Sequence, residues 1–468
     1  MNTQYKKKLK GGKRIGKGGY GCVVMPALSC NDIDKVKTKK RSTNTITTAT
    51  KNSKRHFTIN NNTTNKTISK IVLNDKKGSI DDEIIINNKL HKLDPLMNYF
   101  ITILDHCRIK KIPSDRNNIV NVKYKVPDYT SKLFAQLFAS SQQSDPSNSL
   151  SYHDRYDKTK YDIMHTGKIS SKYCPVDIAT DPINIIMPYG GNNLEDIMSS
   201  IRLETSHKHT LKRTHITKSQ ININNAHILY KNFKIYIKNL LNGMYVMQNN
   251  HIVHKDIKPG NIIIDVNTNN KTNKLNVRYI DFGFTAQLPR KTNTINIMHQ
   301  SVQGTYEYIS IEILIIFYII DNYHNIKYND KDYASNNELI FNNMFKFEII
   351  APHKLLLKEL HIDVHNYKAT LADIYNYYIK SIYDSSDSHN ELINKYYGMT
   401  DKFNGYMQKS DIYGLGLTLY EFIICYNKYF KTKPNIQLFD LLNKMIEIDT
   451  NKRYNILECL QHPYIKNH

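Results

Sequence analysis

The chain has 468 residues, of which 65 are Lys or Arg and 42 are Asp or Glu, so its formal net charge at pH 7 is +23. This length allows two or three ordinary domains with a large buried core, and the positive charge suits anionic partners such as nucleic acid, membrane surfaces or acidic substrates. The six cysteines contain no C-x-x-C pair, which argues against a zinc knuckle or a disulfide framework. The longest apolar run, residues 313–320, is too short to span a bilayer, so the sequence predicts a soluble, intracellular protein without a membrane partner.

A glycine-rich turn is the first predicted element after a basic lead-in, residues 1–14. Its glycines would let backbone amides approach phosphate oxygens without an intervening side chain. Dinucleotide-binding folds and ordinary hairpins share this spacing, but a dinucleotide-binding fold would begin a helix where Val23 and Val24 continue a strand. The sequence therefore favours a phosphate-binding loop between two strands. Its candidate binding residues are Ile15, Gly16, Gly18, Gly19, Gly21 and Val23.

A polar segment, residues 29–66, separates this turn from the next predicted strand. Its Thr, Asn, Lys and Arg residues cannot bury enough apolar surface to offset the entropy of ordering, so we expect an insertion here. Strand character returns at residues 67–73, where Lys70 shares one face with Ile68 and Val72. An ammonium group on such a strand could reach the phosphates of a bound nucleotide.

The next part of the chain is predicted to contain one helix, a long insertion and a strand that turns into a second helix. Acidic residues, among them Glu83, occupy the first turn of the first helix, residues 81–90. The insertion spans residues 105–182 and includes a Ser-rich polar stretch. Residues 183–187 then favour a strand, and residues 188–194 favour a turn into the second helix.

The strongest motif is His-Lys-Asp-Ile-Lys-Pro-Gly-Asn at residues 254–261, followed by an Asp-Phe-Gly that begins at Asp281. Phosphoryl transfer requires a carboxylate that orients the attacking hydroxyl, a cation near the transferred phosphate and oxygen ligands for Mg²⁺. Asp256 could orient the hydroxyl, and Lys258 could contact the γ-phosphate. Asn261 and Asp281 could bind the metal, because a predicted hairpin between them would bring both ligands to one ion.

In this order and spacing, the two motifs resemble the catalytic loop and the metal-binding turn of eukaryotic-type protein kinases. The resemblance implies an α+β class and a bilobal fold, with a small β-rich N-lobe at residues 15–187 and a larger, mainly helical C-lobe at residues 188–468. Insertions would lie near residues 29–66 and 105–182 in the N-lobe and near residues 313–409 in the C-lobe. The resemblance also implies that the chain uses ATP and Mg²⁺ and that its substrates are proteins.

The resemblance gives roles to residues of the predicted N-lobe. The glycine-rich turn would cover ATP with Val23 against the adenine, and Met187 would be the gatekeeper of the adenine pocket. Lys70 would contact the phosphates and form an ion pair with Glu83 of the following helix. The alternatives to this pair are Lys66, Lys76 and Asp82.

In the predicted C-lobe the resemblance assigns residues that support the site. Glu312 ends a Ser-Ile-Glu tripeptide where the family usually has Ala-Pro-Glu, and it would pair with Arg453. Asp411 would hold the backbone of the catalytic loop through its carboxylate, or alternatively it would cap the N-terminus of a helix. Lys258 and Thr305 together are similar to the serine/threonine branch of the family, so we expect serine and threonine hydroxyls as acceptors.

Three other functions remain open. Ile68 in place of the usual Ala, and Ile311 in place of the usual Pro, are compatible with a pseudokinase scaffold that binds partners. The positive charge could serve nucleic-acid binding, although no basic motif interleaved with aromatic residues supports it, and a small-molecule kinase is the third alternative. The abundant Asn, Ile and Lys residues and the polar insertions resemble the kinases of giant DNA viruses, which would place the protein in the host cytoplasm or the virion.

Overall fold

The structure is a computed structural model of the chain, and the chain divides into two compact units. The first unit comprises residues 1–80 and 103–189, and the second comprises residues 81–102 and 190–468. Most of the three predicted insertions, together with Gly19, Lys66 and Lys76, lies outside the described residues. The residues that the structure describes are 13–18, 21–25, 27, 67–72, 79–108, 119–123, 173–177, 183–206, 217–266, 275–288, 304–314, 356–358, 360, 400–433 and 435–466.

An antiparallel sheet and a separate strand pair make up the described part of the first unit. The strands are β1 (Lys13–Gly18), β2 (Gly21–Met25), β3 (Thr67–Val72), β4 (Asp105–Arg108), β5 (Ile119–Lys123), β6 (Tyr173–Asp177) and β7 (Ile183–Pro188). Five of them form a sheet in the order β1-β2-β3-β7-β4, whereas β5 and β6 form a two-stranded sheet. The strand β7 thus lies between β3 and β4, which precede it in the chain.

The glycine-rich turn joins β1 to β2. Gly18 pairs with Gly21 at the end of this hairpin. The pairing register shifts between Arg14 and Gly16, so Ile15 lies at an irregularity in β1. The chain continues as a strand after the turn, which is the feature that distinguishes this turn from a dinucleotide-binding loop.

Lys70 lies on β3, which has an antiparallel partner on each side. It is opposite Val23 of β2 and Ile185 of β7. Its neighbours Ser69 and Ile71 are buried, whereas Lys70 is partly exposed.

One cysteine departs from the expectation drawn from cysteine spacing. Cys107 of β4 is disulfide-bonded, whereas Cys425 and Cys459 are free. Spacing reveals only pairs that are close in sequence, but a disulfide requires only that the fold bring two cysteines together.

In the residues that the structure describes, the second unit is mainly helical and also contains two small antiparallel sheets, β11-β10-β8 and β12-β9. Its helices, the first of which begins at the end of the first unit, are α1 (Ser79–Leu93), α2 (Leu194–Ser206), α3 (Thr217–Lys231), α4 (Phe233–Asn249), α5 (Thr400–Phe430), α6 (Ile436–Met445), α7 (Ile456–Gln461) and α8 (Pro463–Lys466). Its strands are β8 (Asn192–Asn193), β9 (Ile252–Val253), β10 (Ile262–Val266), β11 (Leu275–Tyr279) and β12 (Ala286–Gln287). In the described part of the chain, no helix combines the length and the apolar character needed to cross a membrane.

The core of the second unit contains one face of α4 and much of α5. In α4 the apolar residues recur at helical spacing, and those from Phe233 to Met247 on this face are buried. Phe233 stacks on Phe422 of α5, with 5.4 Å between the ring centroids. The helix α4 ends shortly before the motif at residues 254–261.

The hairpin predicted between Asn261 and Asp281 is observed as β10 and β11. Ile262 pairs with Tyr279, and the N–H of Ile280 donates to the C=O of Asn261 at 3.1 Å. Because Asn261 precedes β10 and Asp281 follows β11, both residues lie at the open end of the hairpin.

Candidate active site

The carboxylate of Asp411 holds the backbone of the catalytic loop, residues 254–261. It is buried, and its Oδ2 accepts the N–H of His254 at 2.6 Å while its Oδ1 accepts the N–H of Lys255 at 2.9 Å. Asp411 lies inside α5, which begins at Thr400, so the alternative assignment as a helix N-cap is wrong. Burial raises the pKa of Asp411 above its usual value, although His254 and the two backbone donors act in the opposite direction.

His254 connects the catalytic loop to the segment that follows β11. Its Nε2 lies 3.1 Å from the C=O of Ile280, and its Nδ1 accepts the N–H of Asp256 at 3.3 Å. Because the carbonyl only accepts and the backbone N–H only donates, the neutral tautomer with its proton on Nε2 satisfies both contacts. The imidazole also packs near the ring of Phe282, at 5.3 Å between centroids.

Four of the predicted site residues meet in one hydrogen-bond network around Asp256. The amide of Asn261 donates to Oδ2 and to the backbone C=O of Asp256, both at 2.8 Å. The hydroxyl of Thr305 donates to Oδ1 at 2.8 Å, and the ammonium of Lys258 lies 2.9 Å from Oδ2. Lys258 also donates to Thr305, which closes the network. The carboxylate is buried and its orientation is fixed from both oxygens.

The Asp-Phe-Gly turn begins at Asp281, which is exposed and has a φ of 63°. This left-handed backbone is uncommon for a residue other than glycine, although Asp tolerates it better than most. A Cβ added to Gly283 would lie 3.4 Å from Oε2 of Glu83 and 3.5 Å from Oδ1 of Asp281. The structure thus brings the carboxylate of Glu83 next to this turn. Glu83 is buried, whereas its alternative, Asp82, is exposed.

Gly304 brings residues 304–312 against the catalytic loop. Its φ is 127°, and an added Cβ would lie 2.6 Å from the backbone oxygen of Lys255. Only glycine combines this backbone conformation with so close an approach. The close approach places the hydroxyl of the next residue, Thr305, on Asp256.

Glu312 and Arg453 form a buried ion pair, as the resemblance implies. Nη1 of Arg453 bonds to Oε1 of Glu312, and Nη2 bonds to Oε2 at 3.1 Å. Both residues are 1% exposed. A two-point contact of this kind is the strongest geometry for a guanidinium and a carboxylate.

Residues 184–465 match the family model for the protein kinase domain, and this span is more than half of the chain. The chain belongs to the protein kinase family. No curated protein matches it. Kinases of this family use ATP and a divalent metal and act on protein substrates. The matched span of this kinase begins at Asn184, so β1, β2 and β3 precede it.

The kinase offers oxygen ligands that fit a divalent metal. The side-chain N–H groups of Asn261 donate to Asp256, so its Oδ1 is the atom that could bind a metal. Asp281 is exposed. The described residues contain no group of three or more His, Cys, Asp or Glu side chains able to hold a metal ion. Two protein ligands without a closed cage suit Mg²⁺, which keeps several waters and binds substrate phosphates.

The residues predicted to bind ATP, apart from Gly19, lie on the sheet of the first unit. Val23 and Lys70 face each other on β2 and β3. Met187 lies on β7, opposite Ile68 of β3. Ile185, two residues before Met187 on β7, pairs with Lys70 of β3. The structure therefore brings Val23, Lys70 and Met187 onto neighbouring strands of one sheet.

Sequence reasoning missed a second polar cluster in the kinase. The hydroxyl of Tyr308 donates to Oε2 of Glu421 at 2.6 Å, and Arg202 pairs with Oε1 at 2.6 Å. Burial raises the pKa of Tyr308, and the charge of Glu421 acts in the same direction. These residues come from distant parts of the chain, so no local spacing could have revealed them.

Glu195 is a further residue that the sequence did not reveal. A Cβ added to Gly260 of the catalytic loop would lie 3.0 Å from Oε2 of Glu195. Burial raises the pKa of Glu195, and the neighbouring carboxylates of Asp196 and Glu421 raise it further. The catalytic loop therefore meets a carboxylate of α2 at the position where it has no side chain of its own.

Proposed function

We propose that this protein kinase is catalytically active and transfers the γ-phosphate of MgATP to serine or threonine hydroxyls of protein substrates. The observation that carries the proposal is the network around Asp256. Its carboxylate accepts hydrogen bonds from Asn261 and Thr305 and pairs with Lys258, while Asp411 holds the backbone of the same loop. A scaffold that only binds partners does not require these contacts.

In the proposed reaction, Asp256 orients the hydroxyl of the substrate and accepts its proton as the new bond forms. The hydroxyl oxygen bonds to the γ-phosphorus, the bond from this phosphorus to the bridging oxygen breaks, and ADP leaves. The ammonium of Lys258, 2.9 Å from Asp256, balances charge on the transferred phosphate. Asn261 and Asp281 would hold Mg²⁺, which would supply positive charge against the phosphate oxygens.

The sheet of the first unit supports a role in ATP binding. In the proposal, the backbone of Gly16, Gly18 and Gly21 covers the phosphates. Lys70 contacts the phosphates from β3, and Val23 of β2 contacts the adenine. The antiparallel pairing of β2 and β3 fixes Lys70 opposite Val23, which supports this division of roles.

The contact between Lys258 and Thr305 supports the serine/threonine assignment. Lys258 donates to the hydroxyl of Thr305, which itself donates to Asp256. Both positions are similar to those of the serine/threonine branch. If the assignment is correct, acid hydrolysis of the phosphorylated substrate will release phosphoserine or phosphothreonine, whereas phosphotyrosine alone would contradict it.

The proposal is tested by phosphate transfer from labelled ATP, with Mg²⁺, to generic basic and acidic proteins. We expect the variants Asp256→Asn and Asp281→Ala to lower kcat by about 100-fold or more, since each removes a group that acts in the transfer step. Asp81→Asn is the matched control, because it neutralises an exposed carboxylate on α1. It should keep the activity of the wild type.

Two outcomes would contradict the proposal. Equal signal from the wild type and from both active-site variants would indicate that the phosphate transfer comes from elsewhere. A folded wild type that binds ATP but transfers no phosphate to any protein would favour the pseudokinase scaffold. Thermal unfolding of each variant distinguishes loss of chemistry from loss of fold.

A further inference from the structure

The segment at residues 304–312, which belongs to the second unit, is anchored to other parts of that unit at three points. The hydroxyl of Thr305 contacts Asp256, and the hydroxyl of Tyr308 donates to Glu421 at 2.6 Å. At the end of the segment, Glu312 pairs with Arg453. Because Thr305 touches the proposed base, a small displacement of this segment changes the surroundings of the substrate hydroxyl.

All the polar groups of Ser310, which lies in this segment, have hydrogen-bond partners. It is fully buried, and its hydroxyl donates to Oε1 of Glu312 at 2.7 Å. Its N–H donates to the hydroxyl of Ser410 at 3.3 Å. Its C=O accepts the N–H groups of Ile313 and Leu314 at 3.1 and 3.3 Å. Ser310 thus connects the buried ion pair of Glu312 and Arg453 to α5 and to the helical turn that directly follows Ser310.

The next residue, Ile311, is the first residue of this helical turn, residues 311–314, and is buried. Proline is favoured at a first helical position, because its ring fixes φ near −65° and because the missing N–H has no partner within the helix. An isoleucine does not fix φ, so the backbone at position 311 can change conformation when the segment loses its contacts. The combination of a hydrogen-bonded serine and an unrestrained isoleucine therefore differs physically from alanine followed by proline.

We propose that Ser310 is a positioning residue whose hydroxyl bond to Glu312 supplies the restraint that a proline at position 311 would supply. The bond keeps Thr305 and Tyr308 in register with the catalytic loop when a protein substrate binds. This inference rests on the proposed function, since it assigns Ser310 a role in substrate binding by the same site.

Steady-state kinetics test the inference through the variant Ser310→Ala. We expect the KM for a protein substrate to rise about fivefold to tenfold, while the KM for ATP stays within twofold of the wild type. The double variant Ser310→Ala/Ile311→Pro should return the KM for the protein substrate toward the wild-type value. A residue that matters only for stability would not separate the two KM values.

Thr418→Val is the matched control for the loss of a buried hydroxyl. Thr418 is buried in α5, and its hydroxyl has no hydrogen-bond partner among the described residues. Its replacement by an apolar residue of the same shape should leave both KM values unchanged. If it raised the KM for the protein substrate as much as Ser310→Ala does, the effect would be one of packing, and the inference would be wrong.

Amide hydrogen exchange gives a second measurement that does not need activity. We expect Ser310→Ala to speed exchange in peptides from residues 304–309 by about tenfold, with no change in peptides from α4. If the wild type transfers no phosphate, the proposed function fails, and exchange still decides whether Ser310 restrains the segment. If Ser310→Ala keeps the wild-type exchange rates and the wild-type KM values, the inference is wrong. If the double variant Ser310→Ala/Ile311→Pro has the same KM for the protein substrate as Ser310→Ala, the hydroxyl bond does not supply the restraint of a proline.

Discussion

Two buried carboxylates, Asp411 and Glu312, hold the second unit together by different means. Asp411 accepts hydrogen bonds from two successive backbone N–H groups of the catalytic loop. Glu312 accepts two hydrogen bonds from the guanidinium of Arg453 and one from the hydroxyl of Ser310. Both side chains are almost fully buried. They differ in the charge of the groups that donate to them.

The groups that donate to Asp411 are neutral backbone N–H groups, and burial raises its pKa although His254 and the charge of Lys255 act in the opposite direction. The partner of Glu312 carries a full positive charge, and Arg453 also donates to the backbone oxygen of Glu447 at 2.7 Å and lies 4.9 Å from the ring centroid of Tyr413. The first arrangement fixes the local conformation of one loop. The second neutralises the buried charge of Glu312 with a guanidinium. We therefore expect the ion pair to matter most for stability and Asp411 to matter most for catalysis.

The largest expected effect follows the removal of one partner of the ion pair. Arg453→Met leaves the carboxylate of Glu312 buried without its counter-charge, which should lower the free energy of unfolding by about 3–5 kcal/mol. Urea unfolding followed by circular dichroism measures this change. Lys452→Met is the control, because the neighbouring lysine is exposed and should change stability little.

A second variant of the ion pair shows whether the charge or the packing is responsible. Glu312→Leu/Arg453→Met removes both charges, so we expect it to recover much of the stability lost in Arg453→Met. A double variant as unstable as the single one would mean that the side-chain packing of Arg453 dominates. The difference between Glu312 and Asp411 would then not come from the charge of their partners.

A smaller loss of stability and a clearer loss of activity are expected for Asp411→Asn. The Asn side chain has one acceptor oxygen, so one of the two backbone N–H groups loses its partner at a cost of about 1–3 kcal/mol. The catalytic loop then shifts, and kcat should fall on the order of 100-fold, as expected for a misplaced catalytic group. Steady-state kinetics and urea unfolding of the same preparation measure both effects. A loss of stability with an unchanged kcat would show that Asp411 does not position the loop.

The family resemblance gave two contacts between distant residues, those of Glu312 with Arg453 and of Asp411 with the catalytic loop. The residues alone predicted those parts of the site that depend on short spacing. Asp256 and Asn261 are five residues apart, and their contact follows from the conformation of one loop. The hairpin between Asn261 and Asp281 was predictable because two apolar strands flank a polar turn. In each case the residues that interact are near in sequence or are linked by one recognisable element.

Other contacts could not be predicted because nothing local encodes them. Tyr308 and Glu421 are 113 residues apart, and Ser310 and Ser410 are 100 residues apart. The start of α5 at Thr400 was also missed, because the helix extends into a segment predicted to be an insertion. Such contacts depend on the packing of α5 against residues 304–312, and hydrophobic periodicity does not report on this packing.

The smallest expected effect is a pH dependence that comes from Lys255, the neighbour of Asp411 in the catalytic loop. Burial lowers the pKa of Lys255 from 10.5 to about 8, although the charge of Asp411 acts in the opposite direction. Between pH 8 and 10.5 the unfolded chain therefore holds more protons than the folded protein at this residue. Its contribution to the free energy of unfolding must rise with pH in this window and stay constant below it.

This rise is measured as the difference between the wild type and Lys255→Met in urea unfolding at pH 7, 8 and 9. The burial-raised pKa values of Tyr279 and Tyr413 lower stability above about pH 10, but they act equally in both proteins and cancel in the difference. We expect the wild type to gain on the order of 1 kcal/mol relative to the variant between pH 7 and 9. A difference that does not change with pH would mean that the charge of Lys255 is compensated in the folded state as fully as that of Arg453. The surroundings of Asp411 and the surroundings of Glu312 would then not differ in how well they compensate a buried charge.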